Sequence, residues 1–153
     1  MRISSADERD VGALATLMTA SPLLHRYRVT ARGARAALGE GLRKGDMLLI
    51  AREKGEITGL AWVIVSRALD RSAYLRLLLV AEGKQSSGTG AALLATAERR
   101  ARASRCRHMV LLVTSDNWRA RSFYARQGYR RVGDLPSFVR PRIGETLYEK
   151  SLS

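Results

Sequence analysis

The sequence predicts an α/β domain, with the mixed strand directions of an α+β fold: a central β-sheet flanked by helices. Three observations lead there. Apolar patterning runs helices first, then an antiparallel pair, then strand–helix–strand–helix–strand. Residues 73–114 hold two strongly apolar strand patterns joined by a helical one, so that unit is a βαβ crossover with parallel neighbouring strands. Finally, the chain has 153 residues, 46% of them hydrophobic, which suits one domain (1–153) with a packed core.

The elements follow in order. A very short strand at Arg2–Ser4 precedes an amphipathic helix ending near Thr19, with Val11, Leu14, Ala15, Leu17 and Met18 on its apolar side. Ser21-Pro22 stops it. Thr30 to Lys44 reads as a second helix, weakened by Gly33, Gly39 and Gly41. Asp46–Glu53 and Ile57–Arg67 form a hairpin around a tight turn at Lys54-Gly55-Glu56. Ala73–Ala81 is apolar enough to be a central strand. Gly88–Ser104 is a helix with Leu93, Leu94, Ala97 and Ala101 on one face. His108–Thr114 is a buried strand, and Asn117–Gln127 a short helix closed by Gly128. Tyr129–Gly133 and Glu145–Leu152 are the final strands.

Charge and composition narrow the function classes. The formal net charge is +13, from 27 Lys and Arg against 14 Asp and Glu. Such a field attracts anions, whether phosphorylated cofactors, acidic proteins or nucleic acid. The basic residues are spread along the chain, and aromatics are only 6%, which disfavours a dedicated nucleic-acid surface. No apolar run approaches the roughly 20 residues that span a bilayer, so no membrane partner is expected. The N-terminal MRISSADERD has neither a secretory nor a lipidation pattern. The single cysteine, Cys106, forms no intramolecular disulfide and fits a cytoplasmic location. His25 and His108 have no Cys, Asp or Glu at ligand spacing, so no metal is expected.

The stretch with most chemical content is Gln85-Ser86-Ser87-Gly88-Thr89-Gly90, between the strand YLRLLLV and a helix. The first amides of a helix lack intrahelical partners, and the helix dipole adds positive charge there. Glycines and small serines let a ligand approach the main chain, so the segment suits a pyrophosphate. It suits a plain strand-to-helix connection equally well. It is neither a GxxxxGK[ST] loop nor a GxGxxG fingerprint.

Gln85-Ser86-Ser87-Gly88-Thr89-Gly90-Ala91, placed after LRLLLVAEGK, resembles the signature of the GNAT (Gcn5-related N-acetyltransferase) superfamily. Asn117-Trp118-Arg119-Ala120-Arg121-Ser122-Phe123-Tyr124, continuing to Gly128-Tyr129, resembles that family's second segment, at the expected distance. The family's usual proline after the strand is absent, with Glu82 and Gly83 near its place. The resemblance implies a GNAT-like sheet with a splayed parallel strand pair, opening between Leu77–Val80 and Leu112–Thr114. It implies acetyl-CoA as co-substrate. Amides from Gln85 through Gly90 and Ala91 would hold its diphosphate, Leu79 and Val80 would pair with the pantetheine arm, and an N–H near Leu78 would polarise the thioester carbonyl. Asn117 would bind the arm or cap its helix. Tyr124 would protonate the departing thiolate, and Phe123 would point to the core. Arg119 and Arg126 are candidates for the cofactor's phosphates or simple solvated charges.

The acceptor is an amine that must lose a proton before it attacks. Water-mediated deprotonation is the favoured route, with Glu82 as the side-chain candidate for general base. Tyr74, Arg76 and Ser115 are other polar residues nearby. Leu23–Arg28, the Ser66–Ser72 loop and Pro136–Pro141 are expected around the acceptor. Both a small-molecule amine and a protein N-terminus remain open, and a second copy of the chain is a candidate partner. Two other readings compete with an enzyme: a catalytically silent acetyl-CoA-binding module, and a basic nucleic-acid-binding α/β domain.

Overall fold

Caps and turns fix the beginning of the chain. In this computed structural model, which describes all residues from Met1 to Ser153, β1 (Arg2–Ser5) is followed by a single 3-10 turn at Glu8–Asp10. Asp7 and Asp10 form a reciprocal capping box around that turn. Helix α1 (Val11–Thr19) comes next, then α2 (Pro22–Arg26), capped by Ser21 with Pro22 at its first position. The sequence reads Ser21-Pro22 as a stop; it stops one helix and starts another. Helix α3 (Ala31–Arg43) forms over its full predicted length despite three glycines, because Thr30 caps it and Ala34 and Leu38 are buried.

The chain divides into two units, residues 1–64 with 77–97 and residues 65–76 with 98–153. The first is built on the hairpin of β2 (Met47–Glu53) and β3 (Glu56–Val65), turned by Lys54 and Gly55, both at positive φ. β1 pairs antiparallel with β2. Leu48, Ile50, Leu60 and Trp62 meet Leu14, Met18, Ala34 and Leu38 in one core, and the Trp62 indole N–H donates to Asp46 at 2.9 Å. The far end of β4 (Ser72–Val80) and most of α5 (Thr89–Ala103) also belong here. Gly59 on β3 is where they approach. A Cβ there would lie 2.8 Å from Leu93 Cδ1, 3.1 Å from the Leu79 carbonyl oxygen and 3.2 Å from Thr89 Cγ2. Only glycine lets the start of α5 sit this close to the sheet.

The second unit holds α4 (Ala68–Arg71), the first half of β4, the end of α5, β5 (His108–Thr114), α6 (Trp118–Arg126), β6 (Arg130–Arg140) and β7 (Ile143–Ser151). β4 and β5 run parallel, as the crossover rule requires, in register from Ser72↔His108 to Leu75↔Leu111. β7 pairs antiparallel with both β5 and β6. The strand order overall is β1-β2-β3-β4-β5-β7-β6, a mixed seven-stranded sheet.

Two further elements depart from the sequence reading. β6 runs well past Gly133, through Pro136, with a register shift between Leu135 and Arg140; an edge strand tolerates the proline. The Ser66–Ser72 loop contains α4, in which Leu69, Asp70 and Arg71 all take left-handed backbone angles.

Candidate active site

β4 changes character halfway. Ser72, Ala73 and Leu75 are buried, whereas Leu77, Leu78, Leu79 and Val80 are only half-buried. The parallel ladder with β5 stops at Leu75↔Leu111, although β4 continues to Val80 and β5 to Thr114. Leu77 and Leu79 pack on the core of the first unit, so by alternation Leu78 and Val80 face the other side. Four apolar residues left half-exposed at a strand end make a surface that an extended apolar chain would cover.

The turn after β4 then exposes its main chain. Ala81 N–H is tied to the Thr58 carbonyl at 2.8 Å, and Lys84 N–H to the Ala81 carbonyl at 3.0 Å. The Ser87 hydroxyl donates to the Lys84 carbonyl and lies 3.0 Å from the Thr89 hydroxyl. Gly88, with φ of +87°, turns the chain into α5, and the first main-chain bond back to it comes from Ala92 at 3.0 Å. The amides of Gly88, Thr89, Gly90 and Ala91 therefore find no acceptor within the protein. Four free donors at the positive end of a fifteen-residue helix suit an anion.

A cleft of about 320 Å³ opens beside this strand end. Leu79, Val80 and Glu82 line one side, and Ala13, Thr16 and Leu17 of α1 the other. Glu82 is the sole ionisable residue on it, exposed and 3.4 Å from the Gln85 side-chain amide. None of Leu23–Arg28 lines this cleft, and the Ser66–Ser72 loop belongs to the second unit.

In that second unit, Asn117 caps α6 by accepting from the Ala120 amide at 3.2 Å, one of its two expected roles. The faces of α6 are the reverse of the sequence reading. Tyr124 is buried at 8% exposure, while Phe123 is only half-buried. The Tyr124 ring meets Phe123 and Tyr129 edge to face, at 5.2 and 5.7 Å between centroids. Its hydroxyl makes no hydrogen bond within the protein, yet no buried polar atom is left unpartnered, so that hydroxyl reaches the surface. Burial pushes the phenol well above its ordinary pKa, which keeps it a neutral donor.

Behind Tyr124 lies a cluster that the sequence reading missed. Tyr129 donates to the buried Glu98 carboxylate at 2.7 Å, and Lys150 donates to Glu98 and to the Gln127 carbonyl, each at 2.9 Å. Burial first, and the bond to Glu98 second, raise the Tyr129 pKa. The available signal was a carboxylate between Leu94, Ala97 and Ala101 on an otherwise apolar helix face. Of the other polar residues considered, Ser115 is held by Thr146 at 3.0 Å, and Tyr74 is half-buried with its pKa raised by desolvation. His108 is satisfied structurally, 2.9 Å from Glu149. Cys106 is buried, and burial raises its thiol pKa, so nothing marks it as a nucleophile.

Comparison with known proteins agrees with this architecture. The sequence profile of the acetyltransferase (GNAT) domain matches residues 26–151. An uncharacterized N-acetyltransferase, YhfO of Bacillus subtilis (strain 168), is 29% identical over 133 residues, covering 84% of this chain and 89% of that protein. Among solved structures, the ribosomal-protein-alanine N-acetyltransferase of Brucella melitensis superposes with a TM-score of 0.79 at 20% identity, over 99% of both chains. YncA of Salmonella typhimurium, solved with its cofactor acetyl-CoA, gives 0.81 at 21% identity, over 100% of this chain and 94% of that one. By its profile match and by the fold it shares with these enzymes, the chain belongs to the GNAT family of acetyltransferases.

Proposed function

We propose that the protein moves an acetyl group from acetyl-CoA to a primary amine by direct transfer in a ternary complex. The observation that carries this reading is the row of four unpartnered amides from Gly88 to Ala91, next to the half-covered end of β4. These amides, with the neighbouring main chain of Gln85 and Ser86, hold the diphosphate, and Lys84 adds charge. Leu78, Leu79 and Val80 supply the strand edge for the pantetheine arm, and Asn117 contributes its side-chain amide. The residues present fit such a donor: amides for phosphate, apolar strand for the arm and a neutral phenol for the sulfur.

Chemically, the amine nitrogen bonds to the thioester carbonyl carbon, the carbon–sulfur bond breaks, the thiolate takes the Tyr124 proton, and the proton that the nitrogen sheds on becoming an amide returns through water to the phenolate. The ammonium proton leaves beforehand to water, with Glu82 on the cleft as the receiving carboxylate. The acceptor is a small-molecule amine or a protein N-terminus. The Brucella relative acts on ribosomal-protein alanine, which favours including N-terminal peptides among the candidates. One free cysteine fits a reducing, cytoplasmic setting.

The test is calorimetry with acetyl-CoA, followed by thiol release across a panel of amines and N-terminal peptides. One-to-one binding and acceptor-dependent thiol release are expected. No binding at millimolar acetyl-CoA would overturn the reading, whereas binding without transfer to any acceptor would leave a silent binding module.

A further inference from the structure

The second unit carries a depression that acetyl transfer does not use. Its volume is about 340 Å³, and Arg67, Arg71, Arg105, Ser66, Ser104 and Cys106 line it. None of the three guanidinium groups meets a carboxylate or any other acceptor. The nearest acid in the sequence, Asp70, is engaged elsewhere, 3.5 Å from Arg107 and 3.7 Å from His108. The two lining hydroxyls can donate as well. The Ser66 oxygen already accepts from the Ala68 amide at 2.9 Å, leaving its proton available, and the Ser104 hydroxyl is unengaged. Leu69, Asp70, Arg71 and Arg105, none of them glycine, hold left-handed backbone angles in the two loops that form the rim. Such conformations persist where surrounding structure imposes them, and they concentrate at ligand sites.

We propose that this depression is a second anion site, taking the phosphate group of a small phosphorylated molecule. Three guanidinium forks match the geometry and charge of a dianionic phosphate better than a single carboxylate. The volume falls at the lower end of small-molecule sites, roughly 300–1,000 Å³. No aromatic ring lines it, so a nucleobase has nothing to stack on, and single-stranded nucleic acid is the poorer fit. A bound phosphate relieves repulsion among the three arginines and ties the loop at 65–72 to the loop at 104–107. The site shares no residue with the Gln85–Ala91 turn, and the proposal stands independently of the transfer reaction.

The experiment uses the full chain saturated with acetyl-CoA, so that the turn is already occupied. Pyrophosphate, inorganic phosphate and a single-stranded 12-nucleotide DNA are titrated by calorimetry and by thermal shift at fixed ionic strength. Saturable one-to-one binding of pyrophosphate is expected, with a Tm that rises with its concentration. R67Q, R71Q and R105Q each weaken it roughly tenfold or more, as loss of a charged hydrogen bond requires. R32Q, an exposed change on α3, leaves it unaltered. Three results would overturn the proposal: no saturable heat at millimolar pyrophosphate, equal weakening by R32Q, or DNA binding that exceeds pyrophosphate binding and ignores the three substitutions. These exposed arginines bear no side-chain hydrogen bond, so the variants fold, and circular dichroism checks that they do.

Discussion

Tyr124→Phe separates chemistry from folding. The ring is 8% exposed, and its contacts are the edge-to-face pairs with Phe123 and Tyr129. Phenylalanine keeps both pairs. The lost hydroxyl made no bond to the protein, so unfolding free energy changes by no more than about 0.5 kcal/mol. In a domain of this size that is a Tm shift of about 1–2 °C. Acetyl-CoA affinity stays within about twofold, because no diphosphate contact is touched. The reaction is another matter. Without the phenol the thiolate departs unprotonated, and losing a general acid costs about 10²–10⁴ in rate, equivalent to about 3–5 kcal/mol of barrier. The assay is thiol release at saturating acetyl-CoA and amine, with Tm and calorimetry on the same preparation. A kcat within about threefold of the parent removes Tyr124 from the reaction. A large loss of Tm together with a loss of binding means that the hydroxyl has a structural partner, and the reasoning fails from the other side.

Three further outcomes follow from the packing and the charges. Gly59→Ala puts a methyl 2.8 Å from Leu93 and 3.1 Å from a backbone oxygen. Overpacking of this kind costs about 1–3 kcal/mol, and because it pushes on Thr89 it also raises the acetyl-CoA Kd; an unchanged Tm in differential scanning calorimetry would contradict the close approach. Glu98→Gln strips the buried charge from Lys150 and Tyr129 and should cost about 3 kcal/mol, read as the urea midpoint. Glu149 has its pKa lowered, first by the bond from Arg130 and also by His108. Its folded pKa thus lies below its unfolded one, so it stabilises the protein above the ordinary carboxylate pKa of about 4.3, and that stability is lost as the pH falls through the folded value. Glu149→Gln flattens the Tm profile between about pH 2 and 5, and an unchanged acid limb would exclude it as a contributor.

Much of this was legible because it is local. The capping residue Asn117, the Lys54-Gly55 turn and the apolar face of α5 all declare themselves within a few positions. The crossover between β4 and β5 needs only pattern order and handedness. The glycine-serine turn and the Asn117–Tyr124 segment carry the family resemblance without any tertiary knowledge. What stayed hidden depends on distant partners. Nothing between Ser66 and Ser72 advertises three successive left-handed residues, since no glycine marks them. Phe123 is the more apolar neighbour of Tyr124, so helix periodicity alone buried the wrong one; Tyr129, five residues on, supplies the wall that Tyr124 packs against. The Glu98 cluster depends on Lys150, 52 residues away. β6 runs past Pro136 to a last pair, Arg140 with Ile143 of β7, a partner invisible in the Pro136–Pro141 stretch itself.

The place of β7 has a consequence for biosynthesis. It is made after both β5 and β6, yet it lies between them, bonded to β5 on one side and β6 on the other. Until residues 143–151 have emerged from the ribosome, both of those strands present open edges, and His108 and Arg130 lack the carboxylate of Glu149 that both contact. A nascent chain halted at residue 140 would thus hold a finished N-terminal hairpin beside an unpaired, aggregation-prone half.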